Sequence, residues 1–318
     1  MLSKKLLIIT YYWPPSGGAG VQRWLKFATN LDHFGWEVHV LTVDEKKASY
    51  PYIDQTLSSE IPKSIQVHKT ATWEPYKAYQ WLTRSKSPAA GFANVESSSQ
   101  KSFLQSISLY IRGNLFIPDP RRGWNRYAIK KATQLLDKWD FEAVITTSPP
   151  HSSQLIGLAL KNTRNIFWIA DLRDPWTDIY YYKHLKHSDK SAMKDAKYEQ
   201  LVLEKTDRII TVSESLSKLL KTKLEAHAHS KFRVITNGFD ALDFQNLPAA
   251  ISPKFTIGYM GTITNQYRLD SFLEAISHFR NIIELTFVGE LPQEVKRTIE
   301  DFEIKITHVG CLSHRDAL

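Results

Sequence analysis

Short apolar runs alternate along this chain with segments whose apolar residues return every three or four positions. The runs Leu6–Ile9, Trp36–Val43, Ile65–His68, Phe141–Thr147, Ile166–Ala170, Arg208–Val212 and Phe232–Ile235 read as strands. Val21, Trp24, Leu25 and Ala28 share one helical face, and so do Ala128, Ile129, Ala132, Leu135, Leu136 and Trp139. Further helices are expected over Gln154–Lys161 and over the charged stretch 189–207, and Ser213 stands as the N-cap of another. Strands and helices in regular alternation predict an α/β fold around a parallel sheet. Residues 84–102, serine-rich and without apolar period, read as a surface loop.

The periodicity lapses between Ala241 and Pro253 and then resumes. Strands are expected at Phe255–Met260, Leu285–Val288 and Ile304–Val309, with helices at Leu269–Phe279 and about 292–301. This predicts two Rossmann-like domains, 1–250 and 251–318. The second is thin for an α/β domain that must bury its own core, and it reads as incomplete, as though the native chain continues.

Composition narrows the picture. Hydrophobic residues at 42% and charged residues at 23% are those of a globular protein. No apolar run approaches the roughly 20 residues that span a bilayer. Lys4 and Lys5 precede only a brief apolar run that enters a glycine turn, so the N-terminus reads as a first strand and not as a signal peptide. Cys311 is the one cysteine, which excludes an internal disulfide and a cysteine-rich metal site and makes a reducing cytoplasm the expected home.

Charge is uneven. Residues 1–250 carry 34 Lys and Arg against 24 Asp and Glu, whereas residues 251–318 carry 7 against 9. A basic first part points to an anionic partner, such as a phosphorylated substrate or a membrane surface, or else to a lysine-rich solvated face. Neither zinc-finger spacing nor an aromatic RNA-binding motif is present, and nucleic acid is not expected.

The candidate chemistry gathers where strands end. Leu6–Arg23 runs from the first strand through an aromatic-proline turn into Gly17, Gly18 and Gly20 and then a helix. A strand emptying through glycines into a helix N-terminus offers N–H groups and a positive dipole end to an anion, although a ligand-free tight turn uses the same residues. Asp44 closes the second strand as in a dinucleotide-binding βαβ unit, but Arg23 stands where the third glycine of that fingerprint belongs, so a nicotinamide enzyme is disfavoured. Two further strands run into Ser148–His151 and Asp171–Asp174. Strand carboxyl ends open onto the ligand crevice of such a sheet, so His151, Asp171, Arg173 and Asp174 join the glycines on one rim. A plain ion-pair turn of Arg173 between its acids is the alternative.

YYWPPSGGAGVQR, PDPRRGW, TTSPPH, ADLRDPW, VSES, VITNGFD, GYMGT, FVGE and HVG follow one another in an order that resembles GT-B glycosyltransferases of family 4, in particular a bacterial surface-polysaccharide subgroup. The resemblance implies a first domain for a glycan or lipid-linked acceptor and a second for a nucleotide-diphosphate sugar donor. It implies no separate cofactor, no metal and a retaining mechanism. The basic charge of the first domain, by itself, adds the expectation of an acceptor on a lipid diphosphate and of peripheral contact with the anionic inner face of the cytoplasmic membrane. By the same resemblance Gly17 and Gly18 lie against the donor, and Asp171, Arg173 and Asp174 contact transferred sugar or acceptor. Asn237 belongs to the linker motif, and Gly261 and Thr262 begin the pyrophosphate loop, with Arg268 as its nearest cation. The arginine that commonly follows that loop glycine is replaced by Thr262, and the acidic E-x7-E motif is absent from residues 1–318. A GT-B-like sugar-nucleotide epimerase and a non-catalytic acceptor-binding fragment are the alternatives.

Overall fold

The computed structural model describes residues 4–74, 110–245, 254–264 and 267–317. The serine-rich stretch 84–102 and most of the aperiodic stretch 241–253 lie outside them.

Strands β1 (Lys4–Ile9), β2 (Trp36–Val43), β3 (Gln66–Thr70), β4 (Ala143–Ser148), β5 (Trp168–Leu172), β6 (Arg208–Thr211) and β7 (Phe232–Val234) form one sheet in the order β3-β2-β1-β4-β5-β6-β7. Every pairing is parallel. The order reverses between β1 and β4, and the crevice above their carboxyl ends is where a doubly wound sheet takes its ligand. The inner strands β1, β2, β4 and β5 are buried over most of their length because both faces are covered, whereas the edge strand β3 is mainly polar. Leu7 and Ile9 point into a core that includes Leu41, Val144 and Trp168. Leu6 and Ile8 point into another, with Trp24, Val38 and Ile145.

The second core is covered by α1 (Ala19–His33), the first by α2 (Asn125–Lys138) and α3 (Ser152–Thr163). After β5 the chain forms α4 (Asp189–Lys205) and, past β6, α5 (Glu214–Lys221). Ser213 caps α5, its hydroxyl accepting the Leu216 N–H at 3.2 Å. One strand boundary changes the reading of the site. Where the sequence places the end of the fifth strand at Ala170, β5 continues through Asp171 and Leu172, which pair with Thr147 and Ser148. Asp171 is therefore a strand residue and not the first of a loop.

The chain divides into two compact units, the first reaching Gly238 and the second beginning, among the described residues, at Phe239. In the second unit β8 (Phe255–Met260), β9 (Ile283–Val288) and β10 (Ile306–Gly310) make a parallel sheet in the order β10-β9-β8. Helices α6 (Asp270–Ser277) and α7 (Gln293–Asp301) contribute Leu273, Ile276, Val295 and Ile299 to a core with Leu285 and Phe287. β9 alternates buried and half-buried residues, so one of its faces is covered more fully than the other.

Candidate functional site

The rim of the first sheet is built from three strand-end segments. After β1 the chain turns through Tyr11–Ser16 and enters α1 at Gly18, whose backbone has φ 96° and ψ 161°. That conformation favours glycine, and a Cβ on Gly18 would meet open space. The other two glycines have different reasons. A Cβ on Gly17 would overlap the Tyr52 ring, and one on Gly20 would press on the Arg173 guanidinium. Gly17 is held by its N–H to the Tyr52 carbonyl at 3.0 Å. Its small size thus serves packing, while Gly18 is the one that leaves the backbone bare. α1 begins with no side-chain cap and no acid in its first turn, so its positive end is left for an outside anion.

Asp171 has no exposed surface. Its carboxylate accepts from Trp24 Nε1 and from Thr147 Oγ1, both at 2.7 Å, and from Arg23 Nη2 at 3.1 Å. With three donors and no surface it cannot also meet a substrate. Its part is to tie α1 to β4 and β5. Arg23, not singled out as a site residue by its sequence, is the other half of that tie. Its side chain is 3% exposed, and besides Asp171 it donates to the carbonyls of Ile235 at 2.9 Å and Thr236 at 3.1 Å and to Asn237 Oδ1 at 2.9 Å. The one available signal was its misfit, a charged residue where a dinucleotide fingerprint wants glycine.

Arg173 does not form the ion-pair turn with its neighbouring acids. Its Nε donates to the Ser148 carbonyl at 3.0 Å, Nη1 to Gly20 at 2.8 Å and Nη2 to Pro149 at 3.1 Å. One guanidinium, set just past β5, therefore staples the start of α1 to the end of β4 through backbone carbonyls. Asp174 is half-buried, and burial holds its carboxyl above the usual range against the pull of Arg173. It is the carboxyl of this cluster that keeps surface on the rim.

His151 is buried and stacks on Trp176, with ring centroids 5.0 Å apart and planes 14° from parallel. Neither ring nitrogen reaches a hydrogen-bond partner. Burial, then the charge of Arg173, push its pKa down to about 3, and the nearby Pro175 carbonyl opposes them only in part. The ring is thus neutral at any physiological pH. It lines a cavity of about 20 Å³ with Asp119, Tyr182 and Asp195, room for about one water. Asp195 accepts from Trp176 Nε1 at 2.8 Å and Tyr182 at 3.1 Å, and burial raises its pKa to about 6. Asp119, from the PDPRRGW segment, accepts both the N–H and hydroxyl of Ser152 at 2.7 and 2.8 Å and so fixes the start of α3 beside His151. Arg121 of the same segment is buried against Glu74 at 2.6 Å, and Tyr11 also donates to Glu74. Asp44 serves a turn, accepting the Lys46 N–H at 3.0 Å.

The second unit has its own rim, and glycines at positive φ close all three strands: Gly261 (φ 141°), Gly289 (φ 124°) and Gly310 (φ 80°). Gly261 N–H donates to Val288 and Gly289 N–H to Gly310, at 2.9 and 2.7 Å. A Cβ on Gly289 would overlap the Gly261 carbonyl. Thr262 and Arg268 are exposed, and Arg268 makes no ion pair among the described residues. Asn237 lies at the end of the first unit, held by Arg23.

Residues 96–241 match the family described as Glycosyltransferase Family 4. No curated protein matches the sequence. Among solved structures, HepE of Anabaena in complex with UDP and glucose is similar at TM-score 0.56 and 13% identity, over 97% of this chain and 70% of that one. TarM is similar at TM-score 0.55 and 11% identity, over 98% and 77%. The lipopolysaccharide outer core galactosyltransferase WaaB, in its apo form, gives 0.51 and 12%, over 98% and 68%. At these identities the likeness is one of fold, two parallel-sheet units of the GT-B kind.

Proposed function

We propose that this chain, whose residues 96–241 match Glycosyltransferase Family 4 and whose units resemble GT-B structures, moves a sugar from a nucleotide-diphosphate donor to a hydroxyl of a glycan or lipid-linked acceptor. The observation that carries this reading is the open, uncapped start of α1 behind Gly18, set at the reversal point of the sheet. Diphosphate is the leaving group of such a donor, and its growing negative charge is what a helix N-terminus and bare N–H groups stabilise. In the second unit the glycine-ended strands, Thr262 and Arg268 offer the same kind of contact.

The named rim residues then divide by what they can touch. Asp171 and Arg173 hold α1 to the ends of β4 and β5 and act as positioning residues. Asp174 retains surface and takes the polar contact with sugar or acceptor. His151 presents an uncharged ring behind the rim. This set can assist departure of the diphosphate without a metal ion, and with retention of the anomeric configuration. The excess of basic over acidic residues in the first 250 supports an acceptor carried at an anionic membrane face.

The HepE structures hold UDP with glucose and UDP-glucose, so uridine is the first base to test. The full chain is titrated calorimetrically with UDP, GDP, ADP and dTDP, and then incubated with the matching sugar nucleotides and a bacterial lipid-linked oligosaccharide extract, with and without EDTA. Binding of one nucleotide, weakened at least tenfold in Gly18→Val, and transfer that survives EDTA with an unchanged anomer are the expected results. Failure of every nucleotide to bind at millimolar concentration overturns the reading.

A further inference from the structure

The carboxyl edge of the first sheet carries a second pocket, at its outer end, that the reading above does not use. It has a volume of about 230 Å³. Its apolar wall comes from Trp13 after β1, from Ile61, and from Val67 on β3. Its polar rim is Gln55 and Ser58, in the short 3-10 turn Gln55–Glu60, together with Glu45 and Lys69.

Three features say what it takes. The volume falls below the ~300 Å³ at which pockets for drug-sized molecules begin, which suits a single ring. Lys69 Nζ meets Glu45 Oε2 at 2.8 Å, and that hydrogen bond holds the Glu45 carboxyl below its usual range, so the pair stays ionised and the rim is neutral overall. A neutral rim gives no purchase to a phosphate. The amide of Gln55 and the hydroxyl of Ser58 both donate and accept, as a polyhydroxylated ligand requires.

The pocket is preformed. The Asp54 N–H donates to the Pro15 carbonyl at 2.8 Å, Ser16 and Ile53 form an antiparallel bridge, and the Asp54 carboxylate accepts the Thr56 N–H at 3.0 Å. These contacts lock the 3-10 turn against the glycine turn.

We infer that this pocket binds one neutral sugar ring, its C–H face on Ile61 and Val67 and its hydroxyls on Gln55, Ser58 and the Glu45–Lys69 pair. Taking that ring as part of the acceptor glycan rests on the glycosyl-transfer reading.

The test uses the full chain and ligand-observed saturation-transfer NMR with the methyl glycosides of glucose, galactose, mannose and N-acetylglucosamine. UDP binding is measured in parallel. Ser58 and Gln55 are exposed, so Ser58→Trp fills the mouth and Gln55→Ala removes a contact without touching the core. Saturation transfer to at least one glycoside, reduced at least fivefold in both variants while UDP binding holds, is the expected result. No transfer to any of the four, or transfer that survives both substitutions, overturns the pocket. Sugar binding that obeys the variants in a chain that binds no nucleotide keeps the pocket and removes the transferase reading. Nucleotide binding without any glycoside signal does the reverse.

Discussion

At the scale of single residues, buried charge sets the consequences. Arg23 and Asp171 are both withdrawn from water and form an ion pair at 3.1 Å. Arg23→Ala leaves the Asp171 carboxylate buried without its cation and is expected to cost ~3–5 kcal/mol in urea unfolding. Arg23→Lys keeps the charge but cannot span carbonyls and carboxylate together, so it recovers only part of that loss. His151 predicts a pH effect. Its ring titrates near 6.5 when unfolded and at about 3 when folded. The fold favours the neutral form, so this contribution is whole above pH 6.5 and drains as pH falls toward 3. Asp195, raised from 3.8 to about 6, works the other way and loses stability as pH rises through that window. The two oppose each other in the intact protein. His151→Phe keeps the stack on Trp176 and removes one of them. Its stability relative to the parent is therefore expected to rise by about 3 kcal/mol between pH 7 and pH 4, read from denaturation at the two values.

At the scale of elements, the apolar pattern was a good guide wherever burial alone decides. Trp36–Val43 and Phe255–Met260 form strands with the limits that their apolar runs suggest. The rim was less legible. β5 runs two residues past its apolar stretch because Asp171 is paid for by partners 24 and 148 positions away, which no local pattern records. The glycine cluster shows the same limit from the other side. Three glycines in four positions looked like one anion cradle, yet Gly17 makes room for Tyr52 and Gly20 for Arg173, both distant in sequence. Gly17→Ala is accordingly expected to lower the melting temperature, and Tyr52→Ala added to it to restore most of the loss, because the overlap is with a ring and not with backbone. If the double variant is no more stable than the single one, Gly17 has another task.

At the scale of the whole molecule, the two units carry separate cores. Leu273 has no exposed surface and sits in the core of the second. Leu273→Ala, worth ~2–5 kcal/mol, is expected to shift one of two calorimetric transitions and leave the other in place. A single transition that moves as a whole would mean the units unfold together. The charge asymmetry predicts sedimentation with phosphatidylglycerol vesicles at low salt and release as the Debye length shrinks with added salt. The fold class and the two-part plan were legible because they follow from alternation of elements along the chain. The guanidinium that pins Ile235, Thr236 and Asn237 to the first helix was not, and it bears on how chains of this two-unit fold can be recombined. A chimera that borrows another second unit inherits its junction from this contact. Spliced before Ile235, the graft leaves Arg23 facing foreign carbonyls. Spliced after Gly238, it keeps the whole set, and that is the seam at which parts can be exchanged.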